Sequence, residues 1–181
     1  MKSILFSGVH GVGKGFFLDK VKPYIEGYKI YSASALIEKY KKSTDAGYKK
    51  VRDVKNNQDV LIKAIQEARY QEKNCFILDG HLCVFDSAGE VVRIPEYFFS
   101  ETGIEGIILL QDYPQVICDR ISERDSNRIS AHAIRLMQKE EKSYAKELNK
   151  KFKIPYIVIT HECTGKEFIK KIQDMGGDSV E

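Results

Sequence analysis

The sequence predicts an α/β fold in three layers: a parallel sheet covered by helices on both faces, with a β-hairpin inserted. Three observations lead there. Short apolar runs alternate with amphipathic helical segments along the chain, the pattern of βαβ units. A chain of 181 residues, 43% of them hydrophobic, can build one substantial core. No internal repeat, low-complexity tract or linker interrupts it.

The elements follow in order. Lys2–Ser7 reads as a short buried strand, and residues 8–15 as a glycine-rich turn. A helix is expected from Phe16 to about Glu26, with Pro23 tightening its last turn, then a strand at Tyr28–Tyr31. Ser32 is placed to cap a helix over 33–42. The lysine-rich segment 43–57 reads as loop or irregular helix. Val60, Leu61, Ala64, Ile65 and Ala68 share a face, which predicts a helix over about 59–73. Cys75–Leu78 is a strand ending at Asp79-Gly80. Leu82–Phe85 and Val91–Ile94 flank Asp86-Ser87-Ala88-Gly89 as a hairpin. Gly106–Leu110 is the fourth buried strand, and Pro114 opens a helix to about Arg124. A charged helix covers about 130–151, where Gln138, Glu141 and Tyr144 read as a solvated face. Pro155–Ile159 is the fifth strand, and a last helix over about 165–175 ends at Gly176-Gly177.

Bulk properties limit the function. A net charge of +3 is too mild to argue for nucleic acid, and none is expected as a partner. Cys75, Cys83, Cys118 and Cys163 form no C-x-x-C pair and read as reduced thiols. No apolar run approaches the roughly 20 residues that span a membrane. The N-terminus carries no leader pattern. A soluble, cytoplasmic protein is the expectation.

Gly8-Val9-His10-Gly11-Val12-Gly13-Lys14 follows a strand and opens a helix, with the Walker A spacing G-x-x-x-x-G-K. Phosphates need several backbone N–H donors converging on one concavity, and glycines let the chain wrap that tightly. The following helix aims its positive dipole end at the anion. Lys14 then reaches the β- and γ-phosphates. Residues 8 and 10–16 (Gly8, His10, Gly11, Val12, Gly13, Lys14, Gly15, Phe16) are therefore the expected contacts of a nucleoside triphosphate.

Asp79 ends an apolar strand, so it should point into the crevice beside the phosphate loop and hold Mg²⁺ directly or through water. Ser34, Arg52, Asp53, Gln58 and His81 are the candidate acceptor contacts; His132 and His161 have nothing to single them out. Arg120, Arg124 and Arg128 recur at four-residue steps and would share a helix face, with Arg135 a weaker member. Guanidinium forks suit the charge spread over a transferring phosphoryl group, so Lys14, Arg120, Arg124 and Arg128 are the candidate catalytic residues.

The chain resembles the adenylate kinase-like branch of P-loop nucleoside monophosphate kinases. The resemblance runs over most of the chain and rests on three motifs: the loop Gly8–Gly15, Asp79-Gly80, and Arg120 with Arg124 in the pattern R-l-x-x-R. It implies five parallel strands, an acceptor-binding insertion at about 32–73 and a lid near 124–135. It also implies transfer of the γ-phosphoryl group of ATP to a nucleotide, with Mg²⁺. The chain departs at four places. His10 stands where the family has Pro, Phe16 where it has Thr, and Glu38 where it has Arg; His81-Leu82 replaces the aromatic-Pro-Arg run after Asp-Gly. The hairpin at 82–94 is outside the ordinary pattern and is placed to cover the acceptor. Two other readings stay open: a kinase of another hydroxyl or nucleoside acceptor, and a slowly hydrolysing nucleotide sensor acting with a protein partner.

Overall fold

The computed structural model describes residues 3–43, 54–71, 75–86, 89–124 and 129–175. Five strands form one parallel sheet: β1 (Ser3–Ser7), β2 (Tyr28–Ser32), β3 (Cys75–Asp79), β6 (Gly106–Leu110) and β7 (Tyr156–Ile159), in the order β2-β3-β1-β6-β7. Every neighbouring pair is parallel. β1 and β6 are buried at every residue, as central strands covered on both faces must be. Right-handed crossovers put connections running one way on one face and those running the other way on the opposite face. Accordingly α1 (Lys14–Val21) packs with α7 (Gly165–Asp174), and α5 (Pro114–Arg124) packs with α6 (Ala131–Phe152).

A trio of rings joins β1 to α1 and α7. Phe6 stacks on Phe17 at 5.5 Å, and Phe168 meets both edge-on at 5.8 and 5.2 Å. α7 starts from a capping box, Thr164 with Glu167.

The expected hairpin is present as β4 (Cys83–Phe85) antiparallel to β5 (Val91–Arg93); residues 87–88 of its turn lie outside the described residues. α2 (Ala33–Ser43) starts where expected, with Ser32 Oγ capping it by accepting from Ala35 N at 3.4 Å. Other expectations change. α3 (Val54–Gln71) begins before the predicted residue 59, because a polar first turn carries no periodic signal. The short helix α4 (Tyr97–Thr102) was not predicted at all; it is one and a half turns and buries Phe98 and Phe99. α1 ends at Val21 and passes into a 3₁₀ turn at Lys22–Tyr24, with Pro23 early in it.

The reading of α6 as a solvated face is wrong along one stripe. Ile134, Met137, Gln138, Glu141, Tyr144, Ala145 and Leu148 are all buried. They recur at three- and four-residue steps, so Glu141 and Gln138 lie within an apolar stripe rather than on the charged side. The high charge of the rest of the helix hid that stripe.

Candidate functional site

The phosphate loop leaves the C-terminal end of β1, where the strand order reverses. Crevices at this point in open parallel sheets hold ligands. Two glycines make the loop possible. Gly11 (φ +81°) lies so close to α5 that a Cβ would sit 2.4 Å from Ile121 Cγ1. Gly13 (φ +91°) is the N-cap of α1, in the left-handed region. Lys14 is the first residue of α1, so its backbone N–H groups and its ammonium face the same concavity.

Lys14 is the hub. Its Nζ donates to the Gly8 carbonyl at 3.0 Å, lies 3.4 Å from His81 Nε2 and pairs with Asp79 Oδ1 at 3.8 Å. Burial lowers its pKa, opposed by the nearby carboxylates of Asp79 and Glu141. Burial raises the pKa of Asp79, opposed by Lys14. Burial and the Lys14 charge push His81 down to about 3, so its imidazole is neutral at physiological pH. Its buried Nδ1 has no hydrogen-bond partner.

Arg120 and Arg124 are brought to the same loop by α5. Arg120 Nη1 donates to the Val12 carbonyl at 3.2 Å and pairs with Asp112 Oδ2 at 2.8 Å. Arg124 Nη2 meets His10 Nε2. Arg128 lies outside the described residues, as do Arg52 and Asp53. Of the expected lid, Arg124 closes α5 and Ala131–Arg135 already belong to α6.

Four residues given no role from the sequence complete this side: His161, Lys20, Asp112 and Gln138. His161 Nε2 donates to the Val12 carbonyl at 2.6 Å, and the Lys20 ammonium holds its backbone carbonyl at 2.8 Å. Asp112 is set by Gln138, whose amide bonds both the Asp112 N–H (3.2 Å) and the Asp112 carbonyl (3.1 Å). Asp112 follows the buried strand β6, as Asp79 ends β3, and that shared placement was the available signal. His161, just past β7, had the same placement. Phe16 is 73% exposed beside His161, while Phe17 takes the core position.

Ser34, Gln58 and His81 line one cavity of about 510 Å³. Leu61, Ile37, Phe98 and Ile94 wall it, and the hairpin contributes Val84, Phe85 and Asp86. The hairpin thus lies over the cavity. It is fixed to α6 by Tyr144, whose hydroxyl donates to the Ile94 carbonyl, and by Arg93, which bridges Glu140 (2.7 Å) and Glu147 (2.6 Å). Among the described residues the lining carries Asp86 and no Lys or Arg. Glu38 is solvent-exposed and pairs with Lys42 at 2.6 Å along α2.

Among the described residues no group of three His, Cys, Asp or Glu could by itself hold a metal ion. Asp79 alone still suits Mg²⁺, which takes one or two carboxylates with waters and substrate phosphates rather than a protein cage. Also among the described residues, no helix is long and apolar enough to cross a membrane.

A family model described as an AAA domain matches residues 7–136, from the end of β1 into α6. An adenylate kinase of Sulfurisphaera tokodaii is 30% identical over 140 residues, covering 71% of this chain and 72% of that protein. Among solved structures, the tunicamycin resistance protein of Deinococcus radiodurans superposes with TM-score 0.63 at 12% identity, over 97% of this chain and 95% of that one. A gluconokinase from Sinorhizobium meliloti 1021 superposes with TM-score 0.51 at 14% identity, over 96% and 90%. At such identities the superpositions speak to the fold alone.

Proposed function

The chain belongs to the adenylate kinase-like P-loop kinases, and from that premise we propose that it transfers the γ-phosphoryl group of ATP to a nucleoside monophosphate. One observation carries the reading: the cavity of about 510 Å³ shares His81 with the hub at Lys14, so acceptor and phosphate sites meet.

The roles follow from position. The N–H groups of residues 11–16 cradle the triphosphate. Lys14 leaves Gly8 and Asp79 for the β- and γ-phosphates. Arg120 and Arg124 supply donors to the charge spread over the migrating group. Asp79 would hold Mg²⁺, which neutralises phosphate charge when bound. Phe16 carries no hydroxyl, so the metal and the α-phosphate rely on backbone and water on that side. Ser34 and Gln58 contact the acceptor between the apolar walls, and His81 lies between acceptor and Lys14. The chain is then a single kinase domain, with α2 and α3 as the acceptor-binding insertion and the segment near 124–135 as the lid.

A second reading has its own support. A monoester phosphate calls for cations, yet the described lining has none, and Glu38 stands where the family has Arg. An uncharged hydroxyl acceptor, a nucleoside or another polyol, fits that lining. A substrate panel with ADP detection decides. Turnover with a nucleoside monophosphate is expected. Phosphorylation of only non-nucleotide acceptors selects the second reading, and tight ATP binding without any acceptor turnover would leave a nucleotide sensor.

A further inference from the structure

Glu141 is a buried carboxyl that the transfer chemistry above does not use. It is 1% exposed, in the middle of α6. Its Oε1 accepts from Ser7 Oγ at 2.9 Å and from the Leu82 backbone N–H at 3.3 Å, and that N–H also bonds Ser7 Oγ at 2.8 Å. Ser7 is the last residue before the phosphate loop. Leu82 follows the segment Asp79–His81 on the other side of Lys14 and opens the hairpin. One carboxyl therefore ties the loop's root to the acceptor wall, within the field of the Lys14 ammonium.

Taking such a group out of water is expensive unless it is paired. Here the compensating charge is Lys14, the group that triphosphate binding draws away. We propose that Glu141 is a positioning residue of the phosphate site, acting through Lys14 and the Ser7–Leu82 hydrogen bonds, and that triphosphate binding protonates it. The proton comes from solvent and forms the O–H bond on Glu141; no other bond is made or broken. Two effects have the same sign. Phosphate negative charge disfavours a neighbouring carboxylate, and the loss of Lys14 as counter-charge does so again.

The surrounding groups permit this. Burial already raises the Glu141 pKa to about 7, so both forms are accessible near neutrality. The Cys83 thiol beside it is pushed up to about 12 and stays neutral, with Glu140 and Arg93 beyond it. The Tyr144 phenol on its own helix is raised and also stays neutral. Asp79 and His81 lie against Lys14 itself, and His10 acts on His81.

The inference rests on the loop's being a triphosphate site. The test is titration calorimetry with ATP and Mg²⁺ from pH 6 to 8, in buffer pairs of different ionisation enthalpy. Wild type should take up more protons per bound nucleotide than Glu141→Gln. Its affinity relative to that variant should fall above neutrality by up to about tenfold per pH unit, converging below. Ser7→Ala, which removes a donor to the carboxylate, should move the break in the profile to higher pH. Equal proton uptake and parallel profiles in wild type and Glu141→Gln overturn the inference while leaving the phosphate site standing. Should Glu141→Gln not fold, an unmoved break in Ser7→Ala overturns it. No ATP binding by wild type at any pH overturns both.

Discussion

In the proposed transfer Lys14 is the central side chain, and the Gly8 carbonyl, His81 and Asp79 surround it. Lys14→Met keeps the buried stem and removes the charge. It should lower kcat by about 10²–10³-fold, the usual cost of deleting one preorganised donor to transition-state charge, measured by ADP release with the preferred acceptor. Glu141 predicts a stability effect with a definite sign. Its folded pKa of about 7 lies above the ordinary 4.5, so the folded state binds the extra proton between those values. Stability should then fall as pH rises from about 4.5 through 7, by on the order of 3 kcal/mol. Urea unfolding at pH 5 and pH 8 measures it, and Glu141→Gln should abolish that component. Lys14 and Asp79 were legible because each obeys a spacing rule: a lysine after glycines, an aspartate at a strand end. Glu141 obeys none, since a carboxylate on an amphipathic helix reads as surface until the packing shows which stripe it occupies.

At the scale of elements, α6 anchors the hairpin that lies over the cavity. Tyr144 and Arg93 fasten the hairpin to it, and the Arg93 guanidinium also lies 4.9 Å from the centre of the Tyr144 ring. Tyr144→Phe strands the Ile94 carbonyl and should cost about 1–2 kcal/mol. If the hairpin is the roof of the acceptor cavity, the same change raises KM for the acceptor and leaves KM for ATP unaltered, which steady-state kinetics on both substrates separates. Arg93→Ala should cost less than about 1 kcal/mol, because its ion pairs are half exposed and screened. The hairpin itself was visible in the sequence as two β-rich runs around Asp-Ser-Ala-Gly. Its partner was not, because strand–helix docking joins residues fifty apart in sequence, as Tyr144 and Ile94 are. α4 stayed hidden for a different reason: a helix of six residues is too short to show a period.

Over the whole molecule, the proposed nucleotide site lies where β1, β3 and β6 end, so binding should stabilise the fold rather than one loop. MgATP at about a hundred times Kd should add about 2.7 kcal/mol and raise Tm by roughly 5–11 °C for a chain of this size, read by thermal shift against nucleotide-free protein. Phe17 is fully buried against Phe6 and Phe168, and its backbone N–H bonds the Gly13 carbonyl of the loop at 3.0 Å. Its partners come from β1 and α7, the first and last elements of the described chain, so Phe17→Ala unpins both ends.

By itself the sequence determined the βαβ plan, the glycine-rich loop between β1 and α1 with its lysine, the aspartate at the end of β3, and the arginines of α5. Each is set by local rules of period, turn chemistry or spacing. Only the tertiary structure decided which side chains meet there. It seated His161 and Arg120 on the Val12 carbonyl with Asp112 paired to Arg120, turned Glu38 out to Lys42, set the hairpin over the cavity and buried Glu141 against Ser7. The reason is physical. A parallel sheet gathers its strand ends, distant in sequence, into one crevice, and a helix face is inside or outside only once it has something to pack against.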